Sequence, residues 1–281
     1  MSVYHRWVAG RKGPCAIMVG VVEALAILAA GFWAGMINVV VGSGTLVTFP
    51  TLLLFGYPPL VANVSNNIGL VGGGITGTFG YRHEIGGHRR ELRSLLPASL
   101  LGGATGAVLL LILPDEAFRT IVPVLIVVGL AMVVWGPALQ RRAARGRDAT
   151  ADDGRLSTLS RPRHGAVLVG VYLLGIYGGY FGAAQGVLII GLMSVLTSEG
   201  IQSITGLKNL LTTGVNAIAA VTFLLVSPES VDWTVVLLIA IGATAGGVVG
   251  ARFGRRLPPL LMRTLIVVVG ITAIIRMLLP G

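Results

Sequence analysis

Eight stretches of about 20 residues or more in this sequence are dominated by apolar side chains. A bilayer core about 30 Å thick needs about 20 apolar residues for each spanning helix. The eight predicted spans are Ala16 to Val41, Pro58 to Gly80, Ser94 to Leu113, Ala117 to Gly136, Gly165 to Ala184, Ile201 to Val226, Trp233 to Ala251 and Leu257 to Leu279. Because hydrocarbon offers no partner to an open backbone, a chain with this pattern is predicted to fold as an all-α membrane protein.

The composition agrees with this class. Hydrophobic residues make up 54% of the chain and charged residues 11%, against about 25% charged in soluble proteins. The net charge of +10 comes from basic residues that lie between the apolar runs, which is typical of loops on the cytoplasmic side and not of a nucleic-acid-binding face. We therefore expect a multi-pass protein of the cytoplasmic membrane, surrounded by lipid, with no nucleic-acid partner.

The sequence also contains an internal repeat. A shift of 144 residues places glycines and prolines of the first half on matching residues of the second half. Among the matched pairs are Gly31 and Gly175, Gly35 and Gly179, Gly42 and Gly186, Gly56 and Gly200, Gly106 and Gly250, and Pro114 and Pro258. Residues 140–164 are polar and carry no apolar period. We expect a first transmembrane repeat over residues 1–139, a cytoplasmic linker over 140–164 and a second transmembrane repeat over 165–281.

The loops of the two halves differ in charge, and this predicts that the halves are inverted. Tyr81 to Arg93 carries four arginines, whereas its counterpart, Ser227 to Asp232, carries two carboxylates and no cation. Conversely, the acidic residues after the third span correspond to Arg252, Arg255 and Arg256. Basic loops stay in the cytoplasm, so equivalent loops are expected on opposite sides. The side on which the termini lie is left open.

Inversion requires an odd number of net crossings in each half, and four spans alone give an even number. Two short apolar pieces, near residues 42–56 and 186–200, resolve this if they form broken or re-entrant segments. The run from Gly42 to Thr45 is too flexible and polar to continue a helix comfortably in hydrocarbon. Breaks at matching places in two inverted halves are the best indication from sequence of a transport site.

Polar residues cluster around both breaks and form the predicted substrate site. They are Asn38, Ser43, Gly44, Thr45, Asn63, Ser65, Asn66, Gln185, Thr205, Lys208 and Asn209. For each of them, an interhelical hydrogen bond is the alternative to ligand contact. Lys208 is distinctive because a cation about seven residues into a spanning helix is costly and usually functional. Its charge would complement an anion, and snorkelling of its ammonium to the headgroups is the alternative.

Glu23 is the only carboxylate well inside a predicted span, so it is the candidate for proton coupling. No catalytic residue, metal ligand set or cofactor site is predicted. His83 and His88 are five residues apart, one more than the spacing that places two metal ligands on one helix face. The dinucleotide-like string from Gly72 to Gly77 lies inside a predicted membrane helix. We therefore do not expect an enzyme.

With these residues in hand, the chain resembles the TauE/SafE family of sulfite-exporter-like membrane proteins, also called the toluene sulfonate uptake permease family. The resemblance covers nearly all of the chain. It is carried by Gly35-x6-Gly42-Ser43-Gly44-Thr45-x4-Pro50-x-Leu52, by Gly56-Tyr57-Pro58-Pro59 with Ala62-Asn63-Val64-Ser65-Asn66, and by the second copy Gly200-Ile201-x3-Thr205-Gly206-x-Lys208-Asn209. It implies two sets of four helices and secondary transport of small sulfur-containing or organic anions, such as sulfite or sulfonates.

Together these observations predict alternating access, with an anion held by Lys208 and by backbone amides at the N-termini of the broken helices. A passive anion channel and a membrane-embedded binding subunit are the alternatives. The sequence does not determine the substrate, the direction of transport or the coupling ion. It also leaves open whether the protein forms a homo-oligomer.

Overall fold

The computed structural model describes residues 14–145, 156, 159, 161–254 and 259–278. This part of the chain is helical and contains no strand. Its α-helices are α1 (Pro14–Val40), α2 (Thr45–Leu54), α3 (Pro59–Gly80), α4 (Arg82–Gly86), α5 (Arg89–Ile112), α6 (Asp115–Arg145), α7 (Arg161–Tyr180), α8 (Gln185–Leu196), α9 (Ile201–Val226), α10 (Trp233–Phe253) and α11 (Pro259–Leu278).

A helix occupies each of the eight predicted spans, which confirms an all-helical multi-pass membrane protein. Four helical segments are long and apolar enough to cross a bilayer by length and composition alone: Gly20–Val40, Arg89–Ile112, Ile201–Val226 and Trp233–Phe253. The basic segment after α3, expected as a loop, instead contains the short helix α4 and the first turn of α5.

The fourth span is longer than expected. Helix α6 continues to Arg145 and so enters the predicted linker. Within that linker, Leu156 is buried, and its backbone N–H donates to Glu199 Oε1 at 2.9 Å. Residues 146–155, 157, 158 and 160 lie outside the described part of the chain, as do Arg255 and Arg256. The division into two repeats and a linker therefore stays a prediction.

Glycines bring the helices of the two halves into direct backbone contact. A Cβ on Gly35 of α1 would lie 2.1 Å from Ala243 O of α10, and a Cβ on Gly106 of α5 would lie 2.0 Å from Ile176 O of α7. No side chain larger than hydrogen fits at either place. Since lipid supplies no hydrophobic drive for association, close van der Waals contact of this kind is what joins membrane helices.

The main packings occur in reciprocal pairs. Helix α1 packs on α10 and α7 packs on α5; likewise α2 packs on α11 and α8 on α6. Each member of a pair becomes the other when the halves are exchanged. The larger buried apolar cluster includes side chains of both halves, among them Phe49, Val122, Phe181 and Ala243. The two halves therefore share a core instead of folding as separate units.

Helices α3 and α9, which occupy corresponding places in the two halves, run in opposite directions. Near the start of α3, Ser65 Oγ accepts a hydrogen bond at 2.9 Å from the backbone N–H of Asp232, which follows the end of α9. At the other end, Gly206 near the start of α9 lies against Tyr81 and Ile85, which follow α3. Helices α3 and α9 are thus antiparallel. This is the direction that the inverted-repeat prediction requires, and placement relative to the membrane stays a prediction.

Each half contains the expected short helix after a break, but the second break lies earlier than the repeat indicated. Gly42, between α1 and α2, has φ +87°, and Gly182, between α7 and α8, has φ +76°. These two glycines are structural equivalents, 140 positions apart. Gly186, which the shift of 144 places on Gly42, lies inside α8. At 1.5 Å per residue, the 10 residues of α2 extend about 15 Å, half of a bilayer core.

Candidate functional site

The two helix breaks meet in the interior of the protein. The backbone N–H of Gly186, in the first turn of α8, donates to Gly42 O at 3.0 Å. A Cβ on Gly42 would lie 2.5 Å from Gly186 Cα. We call this pair, Gly42 and Gly186, the break contact. It places the N-terminus of α8 against the unwound end of α1, and it joins the first half of the chain to the second.

The first break is held by an amide side chain. Asn38 Oδ1 accepts a hydrogen bond from the backbone N–H of Gly44 at 2.7 Å, so the last turn of α1 caps the beginning of α2. Ser43 is fully buried, and its hydroxyl has no hydrogen-bond partner among the described residues. Thr45 is also buried and begins α2. Asn38, Ser43, Gly44 and Thr45 thus lie together at the first break.

The second break is held by an amide side chain that follows it, that of Gln185, the first residue of α8. Gln185 Nε2 donates to Leu174 O at 3.0 Å, and the Gln185 amide lies where a Cβ on Gly178 would be, with its Cδ 2.3 Å from that position. Gly178 is the structural equivalent of Asn38, which lies 140 positions before it in the sequence. The first half therefore supplies its amide from the long helix, and the second half supplies it from the first residue of the short helix.

Lys208 lies next to the break contact. It is fully buried, and its ammonium donates to Asn38 O at 2.7 Å and to Val39 O at 3.0 Å. These carbonyls belong to the last turn of α1, where the helix dipole is negative, so a cation there is favourable. The alternative of snorkelling is wrong for this conformation, because the ammonium reaches the end of α1 and not the membrane surface.

Asn63 makes the corresponding contact in the other half. Its Nδ2 donates to Tyr180 O, the last residue of α7, at 2.9 Å. One turn further along α3, Asn66 Oδ1 accepts a hydrogen bond from Thr48 Oγ1 of α2. Each long broken helix therefore ends on a polar side chain from the other half. The cap is charged in one case and neutral in the other, which makes the site electrostatically asymmetric.

Other predicted site residues have contacts elsewhere. Ser65 accepts from the backbone of Asp232, and Thr205 Oγ1 donates to Ile201 O within its own helix. Asn209 is buried, and its amide nitrogen has no hydrogen-bond partner among the described residues. Glu23 is buried in α1, with 5% of its surface exposed. These contacts do not link Ser65 or Thr205 to the break contact.

The predicted anion-binding donors are engaged within the protein in this conformation. The amide of Gly44 binds Asn38, that of Gly186 binds Gly42 O, and Lys208 binds two carbonyls of α1. All of these acceptors are neutral oxygens. An anion could replace Gly42 O and the α1 carbonyls only if the two halves moved apart, and it could replace Asn38 only if that side chain turned away from Gly44.

Aromatic residues around the second break escaped the sequence reasoning. Phe181 packs edge-to-face on Phe49 of α2, with ring centroids 5.1 Å apart, and on Phe118 of α6 at 6.5 Å. The hydroxyl of Tyr177 donates to Ala183 O and closes the turn. The signal that could have located this break is Gly182, directly after Tyr180-Phe181, since a glycine commonly ends a helix.

Comparison with known proteins relates this chain to membrane transporters. The family model for sulfite exporter TauE/SafE matches residues 27–277. A probable membrane transporter protein, ORF9, of a Sinorhizobium species is 30% identical over 254 residues, which are 89% of this chain and 90% of that relative. A probable membrane transporter protein of Haemophilus influenzae is 25% identical, covering 88% of this chain and 91% of its own. For the probable membrane transporter protein YfcA of Escherichia coli K12 the identity is 24%, covering 90% and 87%. No solved structure matches this chain significantly.

Proposed function

Since the chain belongs to the sulfite exporter TauE/SafE family of membrane transporters, we propose that it is a secondary transporter that moves small anions across the cytoplasmic membrane by alternating access. Small sulfur-containing or organic anions are the substrate class that the family suggests. The observation that carries the proposal is the break contact, where the unwound end of α1 meets the N-terminus of α8 among buried polar groups.

Broken helices support anion binding because they bring helix ends into the interior. The N-termini of α2 and α8 carry backbone N–H groups and the positive end of the helix dipole. When the halves separate at the break contact, the amide of Gly186 loses Gly42 O, whereas the amide of Gly44 exchanges the Asn38 side chain of its own half for the substrate. Oxygens of a sulfite or sulfonate group are stronger acceptors, since charge-assisted hydrogen bonds exceed neutral ones. Lys208 would contribute its charge from the adjacent turn of α9.

Alternating access is supported by the kind of contacts that join the halves. The break contact, the Lys208 cap of α1 and the Asn63 cap of α7 are hydrogen bonds between halves. Glycine faces form part of the remaining inter-half packing, and these faces present few side chains that would block sliding. Rocking of one half against the other would exchange the break contact and the Lys208 cap for contacts with the substrate and open the site to the opposite side.

A passive anion channel and a membrane-embedded binding subunit are the competing functions. A channel would show neither saturation nor accumulation of the anion against its gradient. A binding subunit would bind the anion without moving it. The closed backbone hydrogen bond between Gly186 and Gly42 favours a gated transporter over a permanently open pore.

The test is uptake of radiolabelled sulfite and of several sulfonates into proteoliposomes, with and without an imposed pH gradient. Lys208→Gln removes the charge but keeps a hydrogen-bond donor for the end of α1. The control is Asn63→Ala, which removes the equivalent neutral cap from α7. We expect Lys208→Gln to raise the KM for sulfite about tenfold, since one charge-assisted contact is worth about 1.4 kcal/mol more than a neutral one. We expect Asn63→Ala to leave the KM nearly unchanged.

Saturable uptake that accumulates the anion supports the transporter, and linear uptake without accumulation would indicate a channel. Equal effects of the two variants would mean that Lys208 only caps α1. If a pH gradient drives uptake, Glu23→Gln should abolish the stimulation while leaving exchange at equal pH intact. Absence of flux for every anion would overturn the proposed substrate class.

A further inference from the structure

A cleft separate from the break contact lies where the first half meets the second near the end of α3. It has a volume of about 450 Å³ and is lined by Ile75, Thr78, Phe79, Arg82, Ile85, Gly86, Arg89, Leu210 and Thr213. These residues come from α3, α4, the start of α5 and α9. The cleft therefore spans both halves of the molecule.

The inner part of the cleft faces the hydrocarbon of the membrane. Ile75 and Phe79 expose 57% and 65% of their surface on the outside of the helix bundle. Behind them, the hydroxyls of Thr78 and Thr213 lie 3.2 Å apart and bind each other. An exposed apolar surface on a spanning helix is in contact with acyl chains. The two threonine hydroxyls behind this surface are satisfied by each other.

The rim of the cleft is cationic. Arg82 and Arg89 are both exposed, and the guanidinium carbon of Arg82 lies 4.4 Å from the centroid of the Phe79 ring. Arg82 also donates to Phe79 O at 3.2 Å, which directs its side chain over the cleft. Neither Glu84 nor Glu91, the carboxylates of this segment, lines the cleft. An apolar groove that ends at two arginines is complementary to a phospholipid with an anionic headgroup.

We propose that this cleft is a binding site for an anionic phospholipid, with its phosphate between Arg82 and Arg89 and an acyl chain against Ile75 and Phe79. Arginine binds phosphate oxygens bidentately, and basic pockets between spanning helices on the cytoplasmic side are typical headgroup sites. The positive-inside rule places this arginine-rich segment on that side. A freely diffusing anion would gain nothing from the exposed apolar wall, which is why the site is assigned to a lipid.

The site also suggests a role for the lipid. Ile85, which lines the cleft, lies against Gly206 of α9, since a Cβ on Gly206 would be 3.2 Å from Ile85 Cγ1. Gly206 is two residues before Lys208. A lipid in the cleft would contact α3 of one half and α9 of the other. Its occupancy is therefore coupled to the relative position of the halves.

The experiment is native mass spectrometry of the purified protein titrated with phosphatidylglycerol or with phosphatidylcholine of the same acyl chains. The test variant is Arg82→Gln/Arg89→Gln. The control, Arg90→Gln/Arg93→Gln, removes the same charge from exposed arginines of the same segment that do not line the cleft. We expect the test variant to bind phosphatidylglycerol roughly 30-fold more weakly, about fivefold per arginine, and the control to bind it as the wild type does.

Three outcomes would overturn the proposal. Equal loss in both variants would show that only the overall positive charge of the segment attracts the lipid. Equal retention of phosphatidylcholine and phosphatidylglycerol would show a groove without headgroup recognition. Displacement of the lipid by millimolar glycerol phosphate or sulfite would identify a site for a free anion. Thermal unfolding of each variant checks that it is folded.

Discussion

Glycine at single positions serves two distinct purposes in this protein. At Gly35 and Gly106 the backbone is helical, and glycine is required only because another backbone lies where a Cβ would be. At Gly42 both constraints apply. The residue has φ +87°, and a Cβ would lie 2.5 Å from Gly186 Cα, an atom that cannot move without shifting α8.

This predicts a graded series of substitutions. Gly42→Ala should destabilise the protein by about 2–4 kcal/mol, from left-handed strain plus backbone overlap. Gly182→Ala, with φ +76° and its nearest neighbour Gly178 O at 3.1 Å, should cost about 1–2 kcal/mol, mainly from strain. Gly191→Ala in α8 is the control, because its Cβ would meet no atom within 4 Å. Thermal unfolding in detergent would measure the order, and equal melting temperatures for Gly42→Ala and Gly191→Ala would contradict it.

Lys208 is the second residue whose role depends on its partners. Its ammonium satisfies Asn38 O and Val39 O, two carbonyls at the end of a helix that have no partner within that helix. Lys208→Met keeps the apolar stem but leaves both carbonyls without this donor, at about 1–3 kcal/mol for each buried group left unsatisfied.

We therefore expect Lys208→Met to be less stable than Lys208→Gln, whose amide can still donate to one carbonyl. The difference in their unfolding temperatures, measured in the same detergent without any anion, reports the cap alone. If the two variants unfold at the same temperature, the hydrogen bonds to α1 do not contribute to stability.

At the scale of elements, the short helices α2 and α8 depend on their surroundings more than on their own sequence. Each follows a break, and neither has a capping side chain in its own N-cap position. Asn38 reaches α2 from the preceding long helix, and α8 is held by Gly42 O from the other half. Helices of 10 and 12 residues are marginal in isolation, so tertiary contacts must stabilise them.

The antiparallel packing of α3 and α9 can be tested by crosslinking. In a Cys15→Ser background, Thr78→Cys/Thr213→Cys should form a disulfide under mild oxidation, because the two hydroxyls lie 3.2 Å apart. The control pair is Thr76→Cys/Thr213→Cys, since Thr76 Oγ1 lies 3.4 Å from Thr244 O of α10 and so faces another helix. A mobility shift on denaturing gels would detect the bond. Crosslinking of the control pair alone would exclude this register.

The sequence repeat predicted that the halves would contain matching breaks, but it misplaced one of them. The shift of 144 is correct for α5 and α10, which begin at Arg89 and Trp233. At the breaks the equivalence is 140, because α2 begins at Thr45 and α8 at Gln185. Glycines needed for packing and glycines needed for positive φ look identical in a sequence. Gly186 therefore matched Gly42 by type, although it is Gly182, and not Gly186, that shares the positive φ of Gly42.

At the scale of the whole molecule, the reciprocal packing of the halves makes each half depend on the other for its core. Each half inserts its third long helix against the first helix of the other, so neither half has a complete core alone. Helices α3 and α9 are antiparallel, so the segment after α3 and the segment after α9 lie at opposite ends of this helix pair.

The membrane orientation follows from this geometry together with the loop charges. We predict that Gly87→Cys, in the arginine-rich segment, reacts with a membrane-impermeant maleimide only after the cells are permeabilised. Glu229→Cys should react in intact cells. Both positions are exposed, and Cys15→Ser provides the background. Labelling of both positions in intact cells would contradict the inverted arrangement across the membrane.

The sequence by itself determined the helical class and the apolar spans, and it predicted two related halves and a polar site around the first break. These properties follow from local composition and periodicity, because hydrocarbon forces each span to satisfy its own backbone. Only the tertiary structure decided that Lys208 caps α1 and that Arg82 and Arg89 border a cleft. It also decided that the Gln185 side chain fills the space beside Gly178, the residue equivalent to Asn38. Those partners lie on other helices, and the distance and direction between helices are set by backbone contacts that no single segment encodes.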